Sequence, residues 1–188
     1  GREKTIVHGV AKRLKTLLEK QLKVEVVLTR QRDTFIPLHK RAKIAREKGG
    51  KVFISLHCNA TKNRNANGME VYFLSEAKTK EAADVAKLEN ASLKYEKDDP
   101  QFALNGIDEA YRDIALSLLT AQFLKESQDL AADIHNAIAQ HIPEINKRGV
   151  KQANFQVMRG TMAQMPSVLV ELGFITNTPE EKRLKSSS

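Results

Sequence analysis

Two short runs constrain what this 188-residue sequence can fold into: Lys51-Val-Phe-Ile-Ser-Leu-His57 and, after Pro166, Ser167-Val-Leu-Val-Glu171. Both are almost continuously apolar, the pattern of strands covered on both faces rather than wet on one. Such strands need helices above and below them, and the flanking sequence supplies these. Ile6, Val7, Val10, Leu14, Leu17 and Leu18 recur at three- and four-residue intervals over residues 5–22, an amphipathic stripe with basic residues opposite. Pro37 opens a second helical pattern carrying Leu38, Ala42 and Ala45. Val24–Thr29, Met69–Leu74 after a turn at Gly68, and Phe155–Arg159 read as further strands. Between Ser75 and about Gln140 the chain turns helical and mostly acidic, with a break at Asp98-Asp99-Pro100 and Gly106. The expected fold is α/β, a twisted, largely parallel sheet with helices on both faces and a helical insertion.

Length favours one domain over residues 1–188. No stretch approaches the roughly 20 apolar residues of a membrane span; even Ile114–Leu124 is interrupted by Ser117, Thr120 and Gln122. The single cysteine, Cys58, has no partner for an intrachain disulfide. Following His57 on a strand, it points to the opposite face and reads as a small packing residue. Residues 1–65 carry 17 basic and 5 acidic side chains, whereas residues 66–142 carry 7 and 14. A basic opening region suits any polyanion, wall polymer or nucleic acid alike. With only 5% aromatics and no recognisable binding motif, nucleic acid is not the expected partner.

The chemistry is expected at strand ends. His57 and Glu171 each close an apolar strand, and in open α/β sheets the ligand crevice lies beyond the carboxyl ends of the strands. A catalytic zinc needs about three protein ligands and an open position for water, which a histidine and carboxylates can provide. A further carboxylate can then take a proton from that water and pass it to a leaving amine, the role for which Glu171 is the candidate. Glu3 by itself says little, since an acidic residue at a helix start is favoured by the macrodipole alone. His8, His39, His135 and His141 lie on helical or loop stretches rich in polar residues and are assigned no metal role.

Several segments together resemble the zinc-dependent N-acetylmuramoyl-L-alanine amidases, which cleave the bond between muramic acid and the first L-alanine of the peptidoglycan stem. They are Glu3-Lys4 before the first helix, Leu28-Thr29-Arg30 with Asp33, Arg41 with Ala45-Arg46, and Ser55-Leu-His57-Cys-Asn59-Ala60. Gly68-Met-Glu-Val-Tyr72, Arg148-Gly149-Val150-Lys151, Phe155-Gln-Val-Met-Arg159 and Pro166-Ser-Val-Leu-Val-Glu171-Leu-Gly-Phe174-Ile-Thr-Asn177 complete the pattern, the last being the most specific.

The resemblance implies that Glu3 and His57 bind one zinc ion and that Glu171 is the catalytic acid/base. It also implies a first strand ending in a Gly-His-Gly-Gly-like loop and a last helix, both missing from the sequence given, so one zinc ligand is expected to be absent and activity reduced. Peptidoglycan is the implied substrate and the periplasm or cell envelope the implied location. Some family members carry a helical insertion where residues 75–124 lie here, with a helix that covers the active site until a partner protein displaces it. Glu76, Glu81, Asp84, Glu89, Glu96, Asp98 and Asp99 would place negative charge against the basic body or the zinc, so autoinhibition is expected. The rival readings are a non-catalytic wall-binding or regulatory module of the same fold, and a basic nucleic-acid-binding domain.

Overall fold

The computed structural model describes residues 3–96 and 109–186, with side chains at all of these except 109–117 and 119. The expected break at Asp98-Asp99-Pro100 and Gly106 lies outside the described residues. The elements run α1 (Glu3–Leu22), α2 (Leu38–Glu47), β1 (Phe53–Asn59), β2 (Met69–Leu74), α3 (Lys80–Asn90) and a 3-10 turn (Ala91–Tyr95). They continue with α4 (Glu109–His141), β3 (Lys147–Ala153), α5 (Gln156–Arg159), β4 (Ser167–Phe174) and α6 (Thr178–Lys185). The sheet order is β1-β4-β2-β3. β1 runs parallel to β4 and β2 to β3, while β2 and β4 are antiparallel.

Strand alternation sorts the interior into two layers. Phe53, Tyr72 and Leu169 share one face with Leu38 of α2, Ala82, Val85 and Ala86 of α3, and Phe155, Val157 and Met158 around α5. Met69, Val71, Phe73, Val168 and Val170 face the other way, onto Leu124, Ala131, Ile134 and Ile138 of α4. Those α4 positions recur at helical spacing, so the long helix presents one stripe to the sheet. Ser127, within that stripe, accepts the Ser167 N–H at 2.9 Å and donates to the Phe123 carbonyl at 2.5 Å, tying α4 to the first residue of β4. Helices thus cover both faces, which is why β4 tolerates an almost unbroken apolar sequence. Helix α4 crosses residue 124 without a break.

Two expected strands are not strands. Phe155–Arg159 is the short helix α5 with Phe155 as its N-cap; Met158 N–H bonds the Phe155 carbonyl at 3.2 Å, and Gln156 N–H bonds Asn90 Oδ1 at 2.9 Å. Its apolar residues are buried by packing under α3, with the Phe155 ring edge-on to Tyr72 at 5.1 Å, and not by a ladder. The strand lies just before it, in the polar Lys147–Ala153, which pairs on one side only and so needs little apolar surface. Val24–Thr29 has no ladder among the described residues. Val24 and Val27 are exposed, and the Val26 N–H and carbonyl are taken by Glu19 Oε1 and Lys15 Nζ of α1.

Glu180 anchors the site end of the sheet. Its buried carboxylate accepts the Gly68 N–H at 2.8 Å and the Phe174 N–H at 2.7 Å, tying the entry of β2 to the exit of β4. Its own N–H is capped by Asn177 Oδ1 at 3.1 Å. Glu180→Ala leaves two buried donors unsatisfied, each costing about 1–3 kcal/mol. Thermal denaturation should therefore show about 2–5 kcal/mol of lost stability, and Glu180→Gln, which keeps one acceptor, should lose less.

Candidate functional site

Register places the site. His57 on β1 is the neighbour of Glu171 on β4, and Glu171 is the neighbour of Glu70 on β2. Three titratable side chains therefore form a row across adjacent strands, spaced about 4.8 Å apart, on the face covered by α2, α3 and α5. His57 is 8% exposed, and both glutamates are fully buried at 0%.

Around His57 the acids crowd one ring nitrogen. Glu89 Oε2 of α3 lies 2.7 Å from His57 Nδ1 and Glu3 Oε1 of α1 lies 3.1 Å from it. Neither oxygen lies along the direction of a ring N–H, so this buried nitrogen has no aligned hydrogen bond. On the other side of the ring, Nε2 sits 3.0 Å from Ser55 Oγ. Glu3 Oε1 also accepts the Cys58 N–H at 3.2 Å, which holds the start of α1 against the end of β1. Burial would lower the His57 pKa, but Glu3 and Glu89, with Glu171 behind them, raise it to about 10. Burial likewise pushes Glu3 upward, and contact with His57 outweighs it, leaving Glu3 below the usual carboxylate range.

Donor atoms of Glu3, His57 and Glu89 lie within 4.8 Å of one another. Two carboxylates converging on an imidazole nitrogen with a misaligned proton direction make a donor set that suits a zinc-like divalent cation. A hydrogen on Nε2, given to Ser55 Oγ, would leave the Nδ1 lone pair for the metal. Cys58 is buried, and burial followed by the nearby Glu3 and Glu171 charges pushes its thiol up to about 12. His8, His39, His135 and His141 stand outside the cluster. His39 is not simply solvated, however: its Nδ1 is 2.8 Å from Glu96 Oε2, whose other oxygen takes the Leu38 N–H at the start of α2.

Glu70 and Glu171 have the same burial and opposite surroundings. Glu70 accepts from Tyr72 Oη at 2.5 Å, Arg148 Nε at 2.5 Å and Lys151 Nζ at 2.9 Å. Burial raises its pKa, but these donors outweigh burial and hold it ionised below the usual range. Among the described residues, neither carboxyl oxygen of Glu171 has a hydrogen-bond partner. Burial raises its pKa well above the ordinary value, only partly countered by His57 and reinforced by Glu89, Glu3 and Glu70. Adjacent acids driven apart in this way divide naturally into a fixed charge and a proton carrier. Beside the row, a groove of about 670 Å³ runs between α3 and the Asn-rich loop after β1, lined by Asn59, Asn63, Asn67, Glu81, Arg148 and Phe174 among others.

The family model Amidase_3, N-acetylmuramoyl-L-alanine amidase, matches residues 1–188. The chain belongs to this amidase family. Among its relatives, AmiC of Escherichia coli O6:H1 is 33% identical over 192 residues, which cover 100% of this chain and 43% of AmiC. AmiA of Escherichia coli K12 is 32% identical, with coverage of 97% and 61%. The chain thus spans about half the length of these two curated relatives. The crystal structure of the N-acetylmuramoyl-L-alanine amidase from Clostridium difficile 630 superposes with a TM-score of 0.68 at 26% identity, covering 100% of this chain and 75% of that one.

In this amidase-family chain, two site residues went unassigned from sequence. Glu89 was one acid among ten in residues 75–124, and only the docking of α3 singles it out. Glu70 carried a signal, a lone charge inside the apolar Met69–Leu74 strand, that periodicity alone could not turn into a role.

Proposed function

We propose that this amidase-family chain hydrolyses the amide between N-acetylmuramic acid and the first L-alanine of the peptidoglycan stem, with Glu3 and His57 as ligands of one zinc ion and Glu171 as general base and acid. What carries the proposal is the buried Glu171 carboxyl, of raised proton affinity and unpartnered among the described residues, standing one strand from the Glu3–His57 pair. Zinc bound by that pair would bring the pKa of a bound water to about 7 and polarise the amide carbonyl. Glu171 takes a proton from the water attacking the amide carbon and returns it to the alanine nitrogen as the C–N bond breaks. Ser55 orients the His57 ring, and the ionised Glu70, held by Arg148 and Lys151, raises the proton affinity of the Glu171 carboxylate that takes the water proton.

Helix α3 supports autoinhibition. Glu89 stands beside His57 Nδ1 where substrate or water would approach, and Glu171 is fully buried on the face that α3 covers. The apolar footing of α3 is small: Ala82, Val85 and Ala86 contribute roughly 3 kcal/mol of burial. A partner protein binding at micromolar affinity supplies about 8 kcal/mol, enough to displace it. Glu89→Ala in the zinc-loaded full-length protein should raise stem-peptide release about tenfold or more, the result of some 1.4 kcal/mol taken from the closed state. An unchanged rate would count against autoinhibition alone.

The substrate locates the work in the cell envelope, so the protein is exported, and displacement by a partner would confine cleavage to places such as the division site. No described helix is long and apolar enough to cross a membrane. The deciding experiment incubates zinc-loaded full-length protein with purified peptidoglycan and measures newly freed alanine amines, with metal analysis alongside. Loss of bound zinc in His57→Ala and Glu3→Ala is expected. Zinc-replete protein with Glu89 removed that binds wall polymer but frees no amine would instead support the non-catalytic module.

A further inference from the structure

Arg148 and Lys151 of β3 stand at the end of the row farthest from His57, and their charged ends meet two carboxylates. Glu70 holds them from within the sheet, accepting from Arg148 Nε at 2.5 Å and Lys151 Nζ at 2.9 Å. Glu81, in the first turn of α3, takes the remaining donors: Arg148 Nη2 gives to its Oε1, and Lys151 Nζ gives to its Oε2 at 3.3 Å. The two acids are not equivalent. Glu70 is fully buried on a central strand, whereas the Glu81 side chain is 54% exposed and rides on the helix that the proposed function displaces. The Arg148 guanidinium also lies 5.2 Å from the Phe174 ring centroid, which keeps its plane fixed with or without Glu81. Arg148, Glu81 and Phe174 all line the groove beside α3. With Glu81 gone, two cations face one buried carboxylate, and the guanidinium edge is presented to the groove with the Lys151 ammonium behind it on Glu70, a ready carboxylate receptor.

We propose that Arg148 and Lys151 form a subsite for a carboxylate on the peptide half of the substrate, and that Glu81 fills this subsite as an internal surrogate while α3 is closed. The proposal rests on the amidase reading and extends it from the reacting bond to the peptide beyond. The carboxylate belongs to the peptide because the sugar's N-acetyl group is neutral and its lactyl carboxyl is the acyl half of the scissile amide. β3 lies two strands from β4, about 10 Å at ~4.8 Å per strand. An extended peptide covers that distance in about three residues, so the recognised acid lies within the first three residues past the bond. Helix α3 then blocks the site at two points with two different mimics, Glu89 at the His57 end and Glu81 at the peptide end.

The test is a binding measurement that needs neither metal nor turnover. Full-length protein and its Glu81→Gln variant are titrated, in buffer with chelator, with acetyl-Ala-Glu-amide and with the uncharged acetyl-Ala-Gln-amide, followed by calorimetry or NMR. Glu81→Gln should bind the charged dipeptide about tenfold more tightly than the uncharged one, the worth of one charge-assisted contact, and the unchanged protein should discriminate less because Glu81 competes. Adding Lys151→Met or Lys151→Gln should abolish the preference, and Lys151→Arg should restore it, with circular dichroism reporting the fold of each. Equal binding of the two dipeptides by folded Glu81→Gln overturns the subsite, as does a preference that survives either neutral replacement. Release of alanine amines separates this from the broader reading: cleavage without charge preference removes the subsite and leaves the amidase, whereas charge-selective binding without cleavage retains the subsite and removes the amidase.

Discussion

In the proposed role, exchange of Glu171 for glutamine should lower release of stem peptides by about 10²–10⁴-fold, the usual contribution of a positioned acid/base, while the protein should melt no lower than before. The two results together are diagnostic. Glutamine has nearly the same volume as glutamate, so packing on β4 is preserved, yet it cannot accept the proton from water. The carboxyl it replaces is fully buried with no hydrogen-bond partner on either oxygen among the described residues, so its ionised form is a net cost in the folded state despite the nearby His57. Its pKa is raised on folding, so the folded state binds more protons than the unfolded one, and stability falls as pH rises through the interval between the ordinary carboxylate value and the folded one. Glutamine does not titrate. In metal-free protein, the melting-temperature advantage of Glu171→Gln should therefore be absent at about pH 4 and grow toward neutrality. A variant that loses activity only because it unfolds would show the opposite trend, and one that keeps full activity would remove Glu171 from the chemistry.

Gly68→Ala is the corresponding test of the scaffold. Gly68 has φ +105°, and a Cβ there would lie 2.3 Å from the Asn146 carbonyl oxygen and 2.8 Å from Asn146 Cβ. The obstruction is backbone, and it is fixed from several sides: that carbonyl accepts the Met69 N–H at 2.9 Å, and the Asn146 side chain bonds the Asn67 carbonyl at 3.1 Å. The left-handed conformation costs an L-residue about 1–2 kcal/mol and the overpacking about 1–3 more, so about 2–5 kcal/mol should be lost. At the size of this chain that is a fall in melting temperature of about 5–20 °C. Catalysis should suffer as well, because the shift enters β2 two residues before Glu70. Gly9 is the control: it lies in α1 with nothing within 4 Å of where an added Cβ would stand, so alanine there should be neutral or stabilising by up to about 1 kcal/mol.

Much of the layering could be read from periodicity, because burial on two faces leaves continuous apolar runs and burial on one leaves a helical stripe. β1, β2, β4, α1 and α2 were recognisable on that basis. The same rule misled at Phe155–Arg159, whose apolar residues are buried in a single helical turn, and overlooked Lys147–Ala153, an edge strand whose partners for charge are Glu70 and Glu81 rather than the core. Periodicity reports how much of a residue is buried and is blind to which backbone it bonds.

The residues themselves determined that His57 and Glu171 lie on apolar strands, that Glu3 opens a helix, and that an acidic helical stretch interrupts the sheet, since each of these depends only on near neighbours along the chain; that both residues end their strands was not correct, because pairing carries β1 on to Asn59 and β4 on to Phe174. Only the tertiary structure decided that His57, Glu171 and Glu70 stand in one row, that one of these acids is satisfied and another is not, and that in the insertion Glu89 meets His57 while Glu81 meets the Arg148 and Lys151 that hold Glu70. Strand order and helix docking bring together positions as far apart as Glu3 and Glu171, and the electrostatics of a buried carboxylate follow from which donors happen to surround it there.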